Sequence, residues 1–531
     1  MTTPRDLLAA GVAHHNAGRL ADAEALYRRA LTLDPLEANG WHLLGLIASA
    51  ANRSDIAERL IRLALTLDPG LSDAYFNLGN ACRRQERIAA AVVALDRARR
   101  LNPIPRNIAA SGRTHAELAG SLAGGVRTLN DDFNLVHRHN REQPNWRTDS
   151  LTTRLGAQRR AEILAHIDVA QQLAPTDDVV RHYALLLHVS AGNLERGMAA
   201  LGPADADGNP EFARLGAEVA WHLRQAEAAR AYYTAFIRRK CAGEAPLRPL
   251  LADVAAAPAF AGRPAGPPPA DRRPVLIYTH YGNPDFLHYS IGQSLISNPS
   301  ARIILIGDRD NRIEGIEHYP MQAFAAATEQ VVSLYLHDSG NAYCYELFCI
   351  ARWFLFLDLC QREGIEEMFL LDSDYMLFTD LEQILPRCRE VGVGFSLNSA
   401  HFSYFRRDTL AAFCNHVSSF FSGNNDTAAF HRANNSELFS DMAFIFDFQR
   451  RQSYLNFCNV ANGGRFDYSI TAPEGFRHTN GIKDIRFIDG APHAFPEDGG
   501  PPVRFFGLHF QGFSKSLMKK AFHRQPWGGV S

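Results

Sequence analysis

Apolar and polar positions follow a helical period over residues 4–105, and the whole pattern recurs along this stretch. Pro35, Pro69 and Pro103 are equally spaced, 34 residues apart. Other positions keep the same phase: Gly11, Gly45, Gly79; Ala23, Ala57, Ala91; Ala30, Ala64, Ala98; Leu7, Trp41 and Tyr75. Small residues let two helices approach closely, and proline prevents the second helix from continuing. The pattern therefore predicts three helical hairpins.

These repeating positions resemble the tetratricopeptide repeat family over residues 4–105. The resemblance implies an all-α solenoid whose groove docks a peptide or protein partner. Repeats of this kind can also serve only as a dimer interface or as a support for a second domain, because a fold alone does not fix a function.

Beyond the repeats, the sequence pattern predicts four further segments. Residues 106–153 are rich in charge, Gly and Asn and are expected to form an irregular connection. Residues 154–241 have the pattern of degenerate helical repeats, and 242–274 form a Pro/Ala-rich linker that should act as a semi-rigid spacer. Residues 275–531 are expected to form a second, separately packed domain.

The second domain shows short apolar runs that alternate with helical segments, which is typical of a buried, mostly parallel sheet. We expect strands at 275–279, 302–307, 331–336, 368–371 and 391–396. The long apolar segment 342–364 is expected to be a crossover helix. The fold class is therefore multidomain, with an N-terminal solenoid followed by a Rossmann-like α/β nucleotide-binding domain.

Composition excludes several classes of protein. With 46% hydrophobic and 21% charged residues, the chain has the composition of a soluble globular protein, and no apolar stretch reaches the roughly 20 residues of a membrane span. Lys and Arg total 55 against 57 for Asp and Glu, so no global charge favours nucleic acid. The first residues lack a secretory signal pattern, and we expect a cytoplasmic location. The 8 cysteines are scattered and are expected to be buried thiols.

Candidate chemistry begins with Asp372-Ser373-Asp374, which follows an apolar strand. In α/β sheets, ligands bind outside the carboxyl ends of the strands. Hard divalent cations such as Mg²⁺ or Mn²⁺ prefer carboxylate oxygen, so Asp372 and Asp374 can reach a metal directly or through water and a ribose. A turn-forming aspartate pair is the alternative that the motif alone leaves open.

Two segments resemble a known enzyme family. EEMFLLDSDYMLFTDLEQIL is similar to the donor-metal segment of GT-A-type glycosyltransferases, and PVRFFGLHFQGFSK to the His-x-x-Gly-x-x-Lys segment of the retaining glycogenin-like branch, glycosyltransferase family 8. The resemblance covers about residues 272–515. It implies that His509 binds Mn²⁺ and that Gly512 and Lys515 contact the diphosphate. Family members usually continue with Pro-Trp, whereas this chain has Ser516-Leu517.

Three further residues are candidates for binding the donor. Tyr281 follows the first strand and could stack on the nucleobase or be a surface aromatic. Asp308 follows the second strand and could bind the nucleoside or cap a helix. Arg352 lies on the long apolar helix and could meet the diphosphate or form an internal ion pair.

Asp441 matches, in order along the chain, the acidic residue that contacts the transferred sugar in retaining enzymes of this type. It could equally cap the helix that follows it. Asp441 and Glu437 are also the candidate bases if the reaction inverts the anomeric configuration. His509 itself could be a core histidine at a strand end.

Together these residues lead us to hypothesise a metal-dependent glycosyltransferase. It would transfer a sugar from a nucleotide diphosphate sugar, with a UDP-sugar expected, to the hydroxyl of a protein or glycan acceptor, while the repeats dock the acceptor or a partner protein. The alternatives are a nucleotidyltransferase and a catalytically inactive repeat scaffold whose α/β domain only binds a ligand or partner.

Overall fold

The computed structural model describes residues 3–123, 157–191, 193–204, 208–258, 274–337, 339, 341–423, 430, 440–459, 463–525 and 527. The chain divides into two compact units: residues 1–206 with 222–224, and residues 207–221 with 225–531. Within the described residues, no helix combines the length and apolar character that crossing a membrane requires.

The described residues of the first unit are mostly helical. Its helices are α1 Pro4–Asn16, α2 Leu20–Leu33, α3 Ala38–Ala50, α4 Ser54–Leu67, α5 Ser72–Arg84, α6 Ile88–Leu101, α7 Pro105–Leu122, α8 Ala157–Leu173, α9 Asp178–Ser190 and α10 Leu194–Leu201. The first six helices are the three predicted hairpins.

Glycine on the first helix of each hairpin faces a large side chain on the second. A Cβ atom built on Gly11 would lie 2.4 Å from Cε1 of Tyr27, and one on Gly79 would lie 2.5 Å from Cγ of Leu95. Real Cβ atoms do not approach other carbon atoms so closely, and the two helices of a hairpin are therefore held at a separation that only glycine permits.

The expectation of an irregular connection over 106–153 is wrong for its first part. Helix α7 begins with proline at its first position, where the missing N–H has no partner to lose, and runs to Leu122. It buries Ala116 and Ala119 against Ile163 of α8. The rest of the predicted connection lies outside the described residues.

The second unit contains ten helices among its described residues: α11 Pro210–His222, α12 Ala226–Lys240, α13 Ala252–Ala255, α14 Asp285–Ser297, α15 Ala325–Leu334, α16 Tyr343–Arg362, α17 Leu385–Val391, α18 Arg407–Ser422, α19 Asp441–Gln449 and α20 Met518–Phe522. Its strands are β1 Val275–Thr279, β2 Arg302–Gly307, β3 Glu317–Pro320, β4 Glu367–Leu371, β5 Tyr375–Leu377, β6 Val393–Ser396, β7 Ser399–Arg406, β8 Leu455–Asn456, β9 Arg465–Phe466, β10 His478–Thr479, β11 Ile482–Lys483, β12 Ile485–Ile488, β13 Ala491–Ala494 and β14 Val503–His509.

The strands form a mixed α/β domain with two larger sheets. The first sheet has the order β3-β2-β1-β4-β7-β6-β8, in which the first four strands are parallel and β7 is antiparallel to both β4 and β6. Strands β1 and β2 are buried along their whole length, as expected when both faces of a sheet are covered. The second sheet, β12-β13-β14-β5, is antiparallel.

The strand predicted at 331–336 is wrong. Its residues up to Leu334 belong to the last turns of α15, which starts with three alanines at 325–327, and Tyr335 and Leu336 follow the helix. Alanine favours a helix, and a short apolar run by itself does not distinguish a strand from a buried helix. The strand predicted at 391–396 begins at Val393 instead, because Gly392, with a φ of 87°, ends helix α17.

The predicted linker over 242–274 is also wrong in its first part, because residues up to 258 pack onto the second unit. Val254 on α13 is fully buried, and the hydroxyl of Tyr289 donates a hydrogen bond to Asp253 at 2.9 Å. Apolar residues among the prolines supply this contact, and the rest of the linker, 259–273, lies outside the described residues.

The block of degenerate repeats predicted at 154–241 is divided between the units. Helices α8 to α10 belong to the first unit, whereas α12 and nearly all of α11 belong to the second. The carboxylate of Glu218 on α11 accepts hydrogen bonds from the backbone N–H groups of Tyr343 and Cys344, at 2.7 and 2.9 Å. It therefore caps the N-terminus of α16, where a negative charge is stabilising.

We predict that Gly79→Ala destabilises the third hairpin. The added methyl would overlap Leu95, and overpacking costs about 1–3 kcal/mol, which exceeds the roughly 0.5–1 kcal/mol that alanine contributes through helix propensity. Hydrogen exchange in the intact chain should show faster opening of α5 and α6. Ala89→Ser, at an exposed position on α6, is the control and should leave protection unchanged. Equal protection in both variants would contradict the packing argument.

Candidate functional site

The site begins where the two larger sheets share one stretch of chain. Strand β4 ends at Leu371 in the first sheet and β5 starts at Tyr375 in the second, so Asp372–Asp374 form the turn between them. Strand β5 pairs antiparallel with β14, and this register places Tyr375 opposite His509. The backbone N–H of Phe510 donates to the carbonyl of Asp374 at 2.9 Å. Pairing of the strands thus brings His509 beside the aspartate turn.

Two carboxylates and one imidazole meet at this turn. One ligand atom each from Asp372, Asp374 and His509 lies within 4.8 Å of the others. Nε2 of His509 is 3.6 Å from Oδ1 of Asp374, and Nζ of Lys515 is 3.1 Å from Oδ2 of the same carboxylate. Oxygen and imidazole nitrogen are ligands that a borderline divalent cation accepts together. These three residues could therefore hold such a cation.

The orientation of His509 suits a metal ligand. Nδ1 of His509 is 2.8 Å from the backbone carbonyl of Tyr468, and because a carbonyl can only accept, Nδ1 carries the proton and donates. This leaves Nε2 facing Asp374. Burial alone would lower the pKa of His509, but the neighbouring carboxylate raises it above its ordinary value. Burial would likewise raise the pKa of Asp374, yet His509 and Lys515 hold it below its usual range. Asp374 is therefore ionised at neutral pH.

A buried arginine connects the aspartate turn to a second acid. Nη1 of Arg352 donates to Asp372 at 2.6 Å, and Nη2 donates to Asp441 at 2.7 Å. Asp441 is the first residue of α19, and burial raises its pKa even though the guanidinium of Arg352 opposes the shift. Arg352 thus forms the internal ion pair that was one of its two expected roles. It also fixes Asp441 relative to Asp372.

The predicted diphosphate residues lie directly after β14. Gly512 has a φ of 63°, a left-handed conformation that favours glycine, and it starts the short 3₁₀ segment that carries Lys515. The ammonium of Lys515 lies 4.9 Å from the centre of the Phe286 ring while it contacts Asp374. The structure therefore brings Lys515 to the same carboxylate as His509.

The two remaining donor candidates have partners within the protein. Asp308 is fully buried, and its carboxylate accepts hydrogen bonds from the backbone N–H groups of Gly282 and Asp310, at 2.7 and 2.8 Å. It holds the loops after β1 and β2 together. Tyr281 is half-buried, with its ring in edge contact with Phe236 and Phe348. Glu437 lies outside the described residues.

Two residues near the site were missed by the sequence argument. Glu346 is buried on α16 and accepts a hydrogen bond from Nδ2 of Asn341 at 2.7 Å. Burial is the largest cause and the charge of Asp441 the second, and together they raise the pKa of Glu346 to about 7. His401 on β7 is buried, and its ring stacks on His509 with centres 4.0 Å apart. A lone acid in an apolar helix and a histidine in a buried strand were the only available signals.

Comparison with known proteins identifies repeats in the first unit. The tetratricopeptide repeat family model matches residues 7–35 and 72–105. The solved structures that resemble the chain include one from a functional characterisation of Pseudomonas aeruginosa pilF, with 15% identity over 44% of this chain and 90% of that chain, and a TM-score of 0.29. Another is the first TPR of Spaghetti (RPAP3) bound to HSP90 peptide SRMEEVD, with 20% identity over 19% of this chain and 80% of that chain, and a TM-score of 0.19. No curated protein matches the chain.

We predict that Glu346→Gln stabilises the protein at high pH. An unfolded chain ionises this side chain near 4.5, whereas the folded protein keeps the proton up to about 7. The folded state binds more protons in that window, so wild-type stability falls as the pH rises from about 4.5 to 7. Glutamine cannot ionise, and the variant should gain up to about 3 kcal/mol over wild type at pH 8 and little at pH 4.

Denaturant unfolding at both pH values measures the difference. Glu329→Gln, at an exposed position on α15, is the matched control and should show no such pH dependence. A gain for Glu346→Gln that is the same at pH 4 and pH 8 would show that the raised pKa is not the cause.

Proposed function

We propose that the second unit is a metal-dependent glycosyltransferase with a GT-A-type nucleotide-sugar site, similar to the retaining glycogenin-like branch, and that the tetratricopeptide repeats of the first unit recruit its acceptor or a partner protein. The observation that carries the proposal is the convergence of Asp372, Asp374 and His509 within 4.8 Å, beside the ammonium of Lys515. These residues come from segments more than a hundred positions apart, and the same segments carry the family resemblance.

The ligand set supports a divalent cation and favours Mn²⁺ over Mg²⁺. Mg²⁺ selects oxygen ligands almost exclusively, whereas Mn²⁺ also accepts an imidazole. When bound, the cation would neutralise the negative charge on the nucleoside diphosphate as it leaves. The carboxylate of Asp374 and Nε2 of His509 would be direct ligands, and Asp372 would bind the cation directly or through water and ribose.

The protein's own groups would do the remaining work around the diphosphate. Lys515 is half-exposed and contacts the carboxylate of Asp374, so its ammonium can face the departing phosphate. Gly512 allows the backbone before Lys515 to turn sharply, because its left-handed φ of 63° carries no side-chain strain. The resemblance assigns the same diphosphate contacts to these two residues.

The sugar would be transferred with retention of configuration. The anomeric C–O bond to the diphosphate breaks, a new bond forms to the acceptor oxygen, and the acceptor's proton passes to the leaving phosphate. No protein base is required in this scheme. Arg352 holds Asp441 next to Asp372, where the resemblance implies contact with the transferred sugar. The buried carboxylate of Asp441 would orient the sugar by accepting a hydrogen bond from one of the sugar's hydroxyls.

The repeats offer a separate recognition surface. A cavity of about 620 Å³ on the first unit is lined by Asn80, Arg83, Arg84, Ile88 and Glu117. Arg83 donates to Glu117 within it, while Arg84 is exposed. A surface with both charges and an apolar side chain can bind an extended peptide through polar and apolar contacts, and we propose that a protein partner or the protein part of an acceptor binds here.

We expect purified protein to hydrolyse a nucleotide sugar slowly in the presence of Mn²⁺, with UDP-sugars tested first and other nucleotide sugars in parallel. Asp374→Asn should lower this activity at least about 100-fold, because it removes the negative charge that binds the metal. Asp408→Asn, at an exposed aspartate whose partner is Arg406, should have no effect. Absence of both turnover and metal-dependent nucleotide binding in wild type would exclude the enzyme and leave the binding scaffold.

We expect Arg84→Glu to weaken transfer to a macromolecular acceptor by about tenfold in KM while donor hydrolysis stays unchanged, because an interface arginine often contributes a large share of binding energy. Arg29→Glu, at an exposed position on α2, is the control of equal charge change. Equal transfer by both variants would exclude this cavity as the recruitment surface.

A further inference from the structure

A lysine is completely buried next to the candidate metal site. Lys483 on β11 has no exposed surface, and its ammonium donates hydrogen bonds to Oδ1 of Asp467 at 2.6 Å, to the carbonyl of Ser469 at 2.8 Å and to the carboxylate of Glu474. An ammonium has three N–H groups, so these contacts satisfy it fully. Asp467 is equally buried.

The buried ion pair of Lys483 and Asp467 is expected to contribute little net stability to the fold. Removing two charges from water costs several kcal/mol for each ion, and apolar side chains of similar size often give equal or better stability. The contacts that Lys483 makes are therefore better explained by what they orient than by the energy that they contribute.

Residues 467–469, which contact Lys483, also accept hydrogen bonds from His401 and His509. Oδ2 of Asp467 accepts the backbone N–H of His509 at 3.3 Å, and the carbonyl of Tyr468 accepts its Nδ1–H at 2.8 Å. The carbonyl of Asp467 accepts Nε2–H of His401 at 3.2 Å. His401 then stacks on His509 with an angle of 17° between the rings. Residues 467–469 thus fix the position and the ring plane of His509.

We propose that Lys483 is a positioning residue for the candidate metal site: it shapes residues 467–469 so that His509 presents Nε2 to a divalent cation between Asp372 and Asp374. The inference rests on the proposed function for the identity of the bound ion. The contacts that orient His509 do not depend on it.

The carboxylate of Asp467 is the connecting group. One oxygen accepts from Lys483 and the other accepts from His509. An amide of the same shape has a single acceptor oxygen, so asparagine can satisfy only one of the two donors. Asp467→Asn should therefore disturb the same orientation as Lys483→Met without leaving an unpaired carboxylate at this position, and it remains a usable test if Lys483→Met does not fold.

The test is Mn²⁺ affinity, measured by calorimetry on folded wild type, Lys483→Met, Asp467→Asn and the double variant. Partners that orient a metal-bound histidine typically contribute 10- to 100-fold in affinity, so each single variant should bind Mn²⁺ about tenfold more weakly or worse. Both residues act through one contact. The double variant should therefore lose no more Mn²⁺ affinity than the single variant that binds Mn²⁺ more weakly. Affinity equal to wild type, or losses that add, would overturn the proposal.

Arg302→Met is the matched control, since Arg302 is also buried and paired with Glu317 but lies at the start of β2, next to the edge strand β3 of the first sheet. It should lower stability and leave Mn²⁺ affinity unchanged. A similar affinity loss in this control would show that general destabilisation is responsible, which would overturn the positioning role.

Metal-free crystal structures separate this proposal from the proposed function. In Lys483→Met or Asp467→Asn, the ring of His509 should leave the carbonyl of Tyr468 and its stack on His401, whether or not wild type binds Mn²⁺. An unchanged His509 would overturn the proposal. Failure of wild type to bind Mn²⁺ while His509 still moves in the variants would refute the metal-dependent function and support the positioning role.

Discussion

The candidate site depends on the antiparallel pairing of β5 with β14. Strand β5 follows the aspartate turn directly, and β14 ends at His509, so their register brings residues 374 and 509 into contact. The same pairing places the left-handed Gly512 and Lys515 immediately beyond the histidine. The two larger sheets meet at this turn, because β4 lies in one and β5 in the other. A change of register by one residue would turn His509 to the opposite face and dismantle the site.

Charge balance then determines how the acidic groups are arranged. Asp374 is compensated by His509 and Lys515, and Arg352 compensates both Asp372 and Asp441. Asp374 and Asp441, the two buried carboxylates among these, therefore each have a cationic partner, which a buried charge requires. Farther from the turn, Lys483 plays the same part for Asp467, and through it the ring of His509 is oriented. The site is thus a set of linked ion pairs in which two carboxylates and one imidazole are close enough to hold a cation.

Sequence reasoning succeeded where local pattern determines structure. The three hairpins follow from a repeat, and β1 and β2 are continuous apolar runs whose limits were predicted correctly. It failed where tertiary packing decides. The apolar run that starts at Val331 ends a helix and forms no strand, residues up to 258 of the expected linker pack onto the second unit, and α11 with α12 join that unit. Motif spacing led to the expectation that Asp374 and His509 lie in one site, and the structure places their side chains close together. Lys483, Asp467 and His401 carry no such signal, because their contacts arise only when distant strands meet.

The most direct test of this account is the position of a bound ion. Crystals of the intact protein soaked in Mn²⁺, with data collected at the manganese absorption edge, should show one anomalous peak about 2 Å from Nε2 of His509 and from a carboxylate oxygen of Asp374, with Asp372 within reach. Lys515 should have moved away from Asp374 to make room. A peak elsewhere, or no peak with the Asp374–Lys515 ion pair intact, would contradict the metal site on which the proposed function rests.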